Sequence, residues 1–149
     1  MPRKIPRVTA YPLLAGERGG LAAALERSGL PVDEVDAPGR HFWRFATPDE
    51  LPVGFGGIEV HGKDALLRSI VTLPPLRGRG FAKAMITALE TEAAVAGCRA
   101  VWLITQSKSM FEQLGYYACD MADVPEAINT TTQFTLLRNT GAAAMVKRL

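Results

Sequence analysis

The chain has 149 residues, of which 48% are hydrophobic and 21% are charged, with a formal net charge of +2. This length fits one domain, residues 1–149, able to bury about two thirds of the surface that its unfolded form exposes. The sequence has no run of about 18 apolar residues for a bilayer and no dense basic face with interleaved aromatic residues, so we expect no membrane or nucleic-acid partner.

The histidines and cysteines give no sign of a metal site. Cys98 and Cys119 are isolated, and the only two histidines, His41 and His61, form no cluster with them. Zinc sites need closely spaced ligand pairs, so no metal is expected. We interpret both thiols as small buried hydrophobic groups in a reducing cytoplasm. The sequence leaves open whether the protein forms a homodimer.

The first half of the chain is predicted to form strands around one or two helices. Residues 18–28 carry apolar side chains at helical spacing and are followed by Gly29, a helix stop signal. A second short helix is predicted at residues 32–35. Strands are predicted at residues 6–11, 41–45, 53–60 and 65–73, from their β-branched, aromatic or alternating apolar content.

The second half begins with a loop rich in proline and glycine at residues 74–80, followed by a helix. From Ala82 onward, apolar residues form one stripe that ends at Gly97. Residues 100–104 are a continuous apolar run, so strand, helix and strand predict a right-handed βαβ crossover with two parallel central strands. The remaining predictions are helices at residues 108–114 and 125–129 and strands at residues 116–118 and 142–147.

The loop before the long helix has the chemistry of a phosphate site. It reads Arg77-Gly78-Arg79-Gly80-Phe81-Ala82. A loop that ends on a helix N-terminus presents unpaired backbone N–H groups and the positive end of the helix dipole, which together attract phosphate. The two glycines allow a ligand to approach the backbone, and the two arginines supply cations for a diphosphate or a ribose phosphate.

Two common phosphate loops do not fit this segment. A Walker A loop requires Gly-Lys-Ser/Thr, whereas Gly80 is followed by Phe81 and Ala82. A dinucleotide fingerprint requires a glycine or alanine where this chain has Lys83. The pattern that remains is Arg77-x-x-Gly80-x-Ala82.

This pattern matches the Arg/Gln-x-x-Gly-x-Gly/Ala signature of the GCN5-related N-acetyltransferase (GNAT) superfamily, which the chain resembles over residues 66–116. The later segment Phe111-Glu112-Gln113-Leu114-Gly115-Tyr116 is similar to another superfamily segment. The resemblance implies an α/β (α+β) fold with a mixed sheet of about six or seven strands, splayed at the acetyl-CoA site and flanked by about four helices. It also implies acetyl-CoA as cosubstrate and a primary amine as acceptor.

A narrower resemblance concerns the acceptor. Glu59, Gly62, residues 65–69 and the tail from Pro125 to Met145-Val146-Lys147 look like small N-acetyltransferases associated with arsenic resistance. That group is related to enzymes that acetylate phosphinothricin and arsinothricin. The resemblance therefore implies a small, amino-acid-like acceptor.

The resemblance also assigns the cosubstrate contacts. Residues 77–82 hold the CoA diphosphate, and main-chain groups of Ile70, Val71 and Leu73 pair with pantetheine and the thioester like an added strand. The N–H of Val71 is the predicted donor to the oxyanion of the reaction.

Charged residues within apolar strands are the candidates for the acceptor side. Glu59 is predicted to be the base, directly or through water, with His61 as the fallback and a solvent-facing carboxylate as the alternative. Arg68 is predicted either to bind a substrate carboxylate or to form an internal salt bridge with Glu59. Arg44 is a second candidate for the same acid, with a solvated strand face as the alternative.

The sequence departs from the superfamily at the expected general acid. Phe111 stands where many members have tyrosine, so the CoA thiolate must be protonated by Tyr116, Tyr117 or water, or leave unaided. This difference keeps a non-catalytic acyl-CoA-binding domain as the alternative function. A protein or peptide acetyltransferase is a third hypothesis, which an open cleft would favour over a closed pocket.

Overall fold

The computed structural model describes residues 5–14, 17–29 and 38–149. Seven strands form one sheet in the order β1-β2-β3-β4-β5-β7-β6. All neighbouring strands are antiparallel except β4 and β5, which are parallel. The strands are β1 Thr9–Pro12, β2 Arg40–Ala46, β3 Pro52–His61, β4 Asp64–Thr72, β5 Ala100–Thr105, β6 Tyr117–Cys119 and β7 Ala143–Arg148.

Five α-helices lie in the described part of the chain. They are α1 Gly19–Arg27, α2 Phe81–Val95, α3 Lys108–Glu112, α4 Glu126–Asn129 and α5 Thr132–Leu137. The predicted mixed α/β fold and the parallel β4-α2-β5 crossover are confirmed. The helix predicted at residues 32–35 lies outside the described residues.

The sheet is covered on both faces because successive strand residues point to opposite sides. Trp43 and Leu67 pack in the cluster that contains the buried residues of α2. Their neighbours Phe42 and Leu66 belong instead to the clusters of α1 and of α4 with α5, respectively. The fold therefore has three layers, with α2 on one face of the sheet and α1, α4 and α5 on the other.

Helix α2 supplies much of the core on its face. Met85, Ile86, Leu89 and Ala93 are fully buried and follow the predicted apolar stripe. Each of the three larger side chains contributes about 1.5–3 kcal/mol through burial. This packing fixes the start of α2 against the end of β4, where the glycine-rich loop lies.

The parallel strands β4 and β5 pair over only part of their length. Their register joins Asp64–Leu66 to Ala100–Trp102 and then stops, although β4 continues to Thr72 and β5 to Thr105. Beyond Leu66 the two strands have no ladder bonds to each other. A gap therefore opens through the centre of the sheet.

Two elements differ from the sequence predictions. Strand β1 begins at Thr9 rather than residue 6 and includes Pro12 as its last residue, which is compatible with an edge strand. Helix α5 was not predicted, because its threonines have low helix propensity and its six residues show no clear helical period. Its start is marked by Thr131, whose side-chain oxygen accepts a hydrogen bond from the Phe134 N–H at 3.5 Å.

Both cysteines pack in the hydrophobic clusters. Cys98 is buried in the α2 cluster, and Cys119 packs against the cluster of α4 and α5. Burial raises the pKa of both thiols above the ordinary value of 9.0, which favours the neutral form. Among the described helices, none has the length and apolar character needed to cross a membrane.

Candidate active site

The gap between β4 and β5 forms a cavity of about 430 Å³. Leu67, Leu103 and Phe111 line it from the α2 side of the sheet. Gly29 at the end of α1, together with Gln133 and Leu137 of α5, lines it from the other side. The cavity therefore passes through the sheet from one face to the other.

A second cavity, of about 560 Å³, lies at the N-terminus of α2. It is lined by residues 77–83 of the glycine-rich loop and first turn, and by Gln113 and Leu114. It shares Thr72, Ala82 and Met110 with the first cavity. The two cavities thus form one groove that leads from the loop into the gap between the strands.

The loop has the backbone geometry expected of a phosphate site. Gly78 and Gly80 have φ angles of +78° and +83°, a region that favours glycine. Gly80 directly precedes α2, so the first N–H groups of a 15-residue helix face the second cavity with the helix dipole behind them. The guanidinium Nε of Arg77 donates to the Thr72 carbonyl at 3.1 Å, and Arg79 is exposed.

Strand β4 is kinked where it leaves β5. Ser69 has a φ of +63°, which is uncommon for a residue other than glycine, and the β3–β4 register shifts between Phe55 and Gly57 on the facing strand. The Ser69 Oγ accepts a hydrogen bond from Arg68 Nε at 3.0 Å. A bulge of this kind changes which of the following peptide groups bond to the facing strand.

The main chain after the kink alternates between β3 and the cavity. Leu73 donates its N–H to the Val53 carbonyl on the β3 side at 2.8 Å. A Cβ on Gly54 would lie only 1.9 Å from the Val71 carbonyl oxygen, so that oxygen also faces β3. Since peptide groups alternate in an antiparallel pair, Val71 bonds toward β3, whereas Ile70 and Thr72 face the gap.

Of the three residues predicted to pair with pantetheine, the structure therefore brings Ile70 to the cavity. It directs the peptide groups of Val71 and Leu73 away from it. The predicted donor, the Val71 N–H, therefore bonds toward β3, because the kink at Ser69 changes which peptide groups face the gap.

Glu59 lies at the centre of a buried charge network. Its two carboxylate oxygens contact Arg68 Nη1 at 2.8 Å, His61 Nε2 at 3.1 Å and Arg40 Nη2 at 3.3 Å. The side chains of Glu59 and Arg68 are 1% and 0% exposed, respectively. Glu59 is thus enclosed by two arginines and a histidine and does not face solvent.

The network answers one question that the sequence left open. Arg68 forms the internal salt bridge with Glu59, and its buried guanidinium also lies 5.5 Å from the Phe42 ring centre. Glu59 and His61 line neither of the two cavities, whereas Arg68 lines the cavity between the strands. The structure therefore brings Glu59, His61 and Arg68 together beside the gap.

Arg44 lies apart from this network. Its side chain is exposed, and its guanidinium stacks over the Tyr11 ring at 4.1 Å from the centroid. Tyr11 donates in turn to Glu50 at 3.1 Å. This position corresponds to the solvated strand face that was the alternative for Arg44.

The aromatic residues considered for proton transfer separate in the structure. Phe111 lines the cavity between the strands and packs edge-on against Tyr116, with ring centroids 5.5 Å apart. Tyr116 is 3% exposed and donates its hydroxyl to Glu90 at 2.8 Å. Tyr117 is 51% exposed. Neither tyrosine lines either cavity, so this geometry does not place a general acid at Tyr116 or Tyr117.

Tyr116→Phe is expected to lower the free energy of unfolding by about 1–2 kcal/mol through loss of the bond to Glu90, and to keep kcat within about twofold. Burial, and to a lesser extent the Glu90 carboxylate, raises the pKa of Tyr116 above its ordinary value of 10.0.

The folded protein therefore keeps the Tyr116 proton at a pH at which the unfolded chain loses it. For this reason the free energy of unfolding of the wild type falls as the pH rises above 10, and the phenylalanine variant lacks this pH dependence. Urea denaturation and steady-state kinetics measure both effects, with exposed Tyr117→Phe as the matched control. A large fall in kcat for either variant would restore a general-acid role.

One residue at the cavity was missed by sequence reasoning. Gln133 lines the cavity from α5 and is 7% exposed. Its only sequence signal is the threonine cap at Thr131 that begins the helix, and this signal is weak without a longer apolar pattern.

Comparisons with known proteins identify a family and a fold. The model of the acetyltransferase (GNAT) family matches residues 16–117, which include the loop and the gap between the strands. No curated protein matches the chain.

Solved structures show the same fold at low sequence identity. Rv2747 from Mycobacterium tuberculosis, solved with CoA, is 16% identical with a TM-score of 0.76, covering 97% of this chain and 99% of that one. N-acetylglutamate synthase from Neisseria gonorrhoeae, solved with coenzyme A and L-arginine, is 12% identical with a TM-score of 0.73, and the match covers 97% of this chain and 34% of that one. The spermidine/spermine N-acetyltransferase SpeG from Vibrio cholerae is 14% identical with a TM-score of 0.66, covering 95% of this chain and 92% of that one.

Proposed function

The chain belongs to the acetyltransferase (GNAT) family, and from this premise we propose that it transfers the acetyl group of acetyl-CoA to the primary amine of a small, amino-acid-like acceptor. The main support for this proposal is the groove that joins the glycine-rich loop to the cavity between β4 and β5. A cosubstrate with a diphosphate at one end and a thioester at the other suits a groove of this shape.

In this proposal the diphosphate is held by the segment from Arg77 to Ala82. The N–H groups at the start of α2 and the helix dipole favour the anion, and the side chains of Arg77 and Arg79 add charge. Phe81 is 8% exposed and packs with the α2 cluster, which anchors the first turn of the helix. The loop is therefore organised before the cosubstrate binds, which limits the entropy lost on binding.

The thioester lies between the separated strands in this proposal. The oxyanion donor is the Ile70 N–H, because Ile70 follows the kink and lines the cavity, whereas Val71 bonds toward β3. The strain at Ser69 is consistent with a donor held in place before the reaction.

The reaction needs two proton losses from the acceptor ammonium. The first gives the neutral amine, which attacks the thioester carbonyl carbon and forms the C–N bond. Collapse of the tetrahedral intermediate breaks the C–S bond, releases CoA as thiolate and gives an amide that loses the second proton. Phe111 has no proton to give, so water protonates the thiolate.

We propose that Glu59 accepts the amine proton through water, with His61 as the alternative base. The two side chains are 3.1 Å apart, and His61 is 20% exposed while Glu59 is buried. Arg68 holds the other carboxylate oxygen, so in this account it positions Glu59 and does not bind a substrate acid. Arg44 has no part in the proposed site.

The acceptor is proposed from the size of the site and the narrower sequence resemblance. The cavity between the strands is small, which favours a small molecule over a protein or peptide. L-Arginine and spermidine or spermine, named for two structurally similar proteins, are small amines. Phosphinothricin-like and arsinothricin-like amino acids are the specific candidates.

A non-catalytic acyl-CoA-binding domain is the alternative, and it is not favoured. The family match covers both the loop and the gap between the strands. The lack of a tyrosine at Phe111 does not exclude turnover, because a CoA thiolate leaves without protonation by the enzyme.

The test is to incubate the protein with acetyl-CoA and a panel of amino acids, phosphinothricin and polyamines, and to measure free thiol. Release of thiol that depends on one amine class, with the N-acetylated form of the same compound inactive, is the expected result. Tight CoA binding without thiol release from any amine would contradict the proposed function and support the alternative.

A further inference from the structure

Gln133 carries a buried polar group that the fold does not use. The residue is 7% exposed, and its Nε2 is inaccessible to solvent and has no hydrogen-bond partner among the described residues. Almost all buried polar side-chain atoms in proteins are paired, because an unpaired donor loses its bond to water without a replacement. Gln133 therefore destabilises the fold unless a ligand or a water molecule accepts a hydrogen bond from its Nε2.

The surroundings of Gln133 show that the position favours apolar residues. Its neighbour Phe134 is fully buried in the cluster with Leu66 and Trp102. Leu137, one turn later on the same helix, lines the same cavity. A leucine or methionine at position 133 would satisfy these packing requirements without an unpaired amide.

The position of Gln133 also places it on one side of the proposed reaction. The CoA loop and α2 lie on one face of the sheet, whereas α5 covers the other face. The cavity passes between these faces, and Gln133 lines it together with Gly29 at the end of α1. A cosubstrate that enters along the loop therefore leaves the α5 side of the cavity to the acceptor.

We propose that Gln133 is a specificity-determining residue that hydrogen-bonds an oxygen of the acceptor's carboxylate. The inference rests on the proposed acetyl transfer and adds the chemical group by which the acceptor is recognised. An amide N–H pairs well with a carboxylate oxygen, and a hydrogen bond to an ionised partner is stronger than a neutral one. An acceptor amine without a carboxylate leaves this donor unpaired and is disfavoured.

The experiment compares the wild type with Gln133→Met, which keeps the length of the side chain and removes the amide. Thr135→Ala, on the exposed side of α5, is the matched control. Each protein is assayed by thiol release with an amino acid that the wild type accepts and with the decarboxylated amine of that amino acid. Thermal unfolding of each protein is measured in parallel.

Gln133→Met is expected to lower kcat/KM for the amino acid by about 10–100-fold, mainly through KM, and to change kcat/KM for the decarboxylated amine by about twofold or less. The melting temperature should stay unchanged or rise, because an unpaired buried amide has been removed. Thr135→Ala should match the wild type in both assays.

Two results would overturn the inference while leaving the acetyl transfer intact. One is an equal loss of activity toward both acceptors, and the other is unchanged selectivity with a lowered melting temperature, which would make Gln133 a structural residue. Absence of thiol release by the wild type with every amine would instead remove the proposed function and, with it, the inference.

Discussion

Replacing Glu59 with glutamine is expected to lower the free energy of unfolding by about 3–5 kcal/mol. The carboxylate is buried and contacts Arg68 at 2.8 Å and Arg40 at 3.3 Å. A glutamine of the same shape leaves these guanidinium groups without the negative charge that both contact, and a buried charge that loses its counter-charge is costly. Urea denaturation followed by circular dichroism measures the change.

The matched control is Glu112→Gln, which makes the same chemical change at an exposed position of α3. It should alter the free energy of unfolding by no more than about 0.5 kcal/mol. The double variant Glu59→Met with Arg68→Met should be more stable than Glu59→Gln, because replacement of both partners removes the charges together. A Glu59→Gln variant within about 1 kcal/mol of the wild type would contradict the buried ion pair.

The same variants separate stability from catalysis. If Glu59 accepts the amine proton, folded Glu59→Gln should lose most of its kcat while CoA affinity is kept. The rate should be measured at a temperature where circular dichroism shows the variant to be folded. Full kcat in the folded variant would leave Glu59 with a structural role only.

Gly80→Val is expected to weaken CoA binding by about 10–100-fold. Gly80 has a φ of +83° at the start of α2, and a β-branched side chain in this region shifts the backbone and covers the N–H groups that face the diphosphate. Loss of one charge-assisted hydrogen bond costs about 1.5–3 kcal/mol, which corresponds to that range of affinity. Calorimetric titration with CoA measures the effect.

Gly97→Val is the control for backbone strain. Gly97 has a φ of +89° just after the same helix, and a Cβ there would meet nothing within 4 Å. Its stability loss should resemble that of Gly80→Val, but its CoA affinity should equal that of the wild type. Acetyl-pantetheine, which lacks the diphosphate, should bind both variants equally. Equal CoA affinity for the two glycine variants would show that the loop does not bind the diphosphate.

The parts of the fold that sequence reasoning predicted are those with strong local patterns. The stripe from Ala82 to Gly97 and the apolar strand at residues 100–104 specify the crossover, since a helix of this length shows its period clearly. The backbone turn at Gly78 and Gly80 was predictable from the glycines, and binding of a diphosphate by this loop stays a prediction. The salt bridge between Glu59 and Arg68 was one of the two predicted alternatives for Arg68. It was foreseeable because a charged group inside an apolar strand needs an opposite charge nearby.

The parts that sequence reasoning missed depend on contacts between distant segments. The kink at Ser69 leaves no composition signal, so the sequence could not show which of Ile70, Val71 and Leu73 faces the gap. Helix α5 shows no clear helical period, and Gln133 therefore could not be placed beside the gap. Arg44 and Phe42 share one face of β2 by alternation, but only the structure shows Arg44 stacked on Tyr11.

A crystal structure with bound acetyl-CoA is the most direct test of the proposed transfer. We expect the diphosphate at residues 78–82 and the thioester carbonyl within hydrogen-bond distance of the Ile70 N–H, between β4 and β5. We also expect an open path from the thioester carbon to Gln133 on the α5 side. Acetyl-CoA bound outside the gap, or a thioester carbon with no open path to the α5 side, would contradict the proposal.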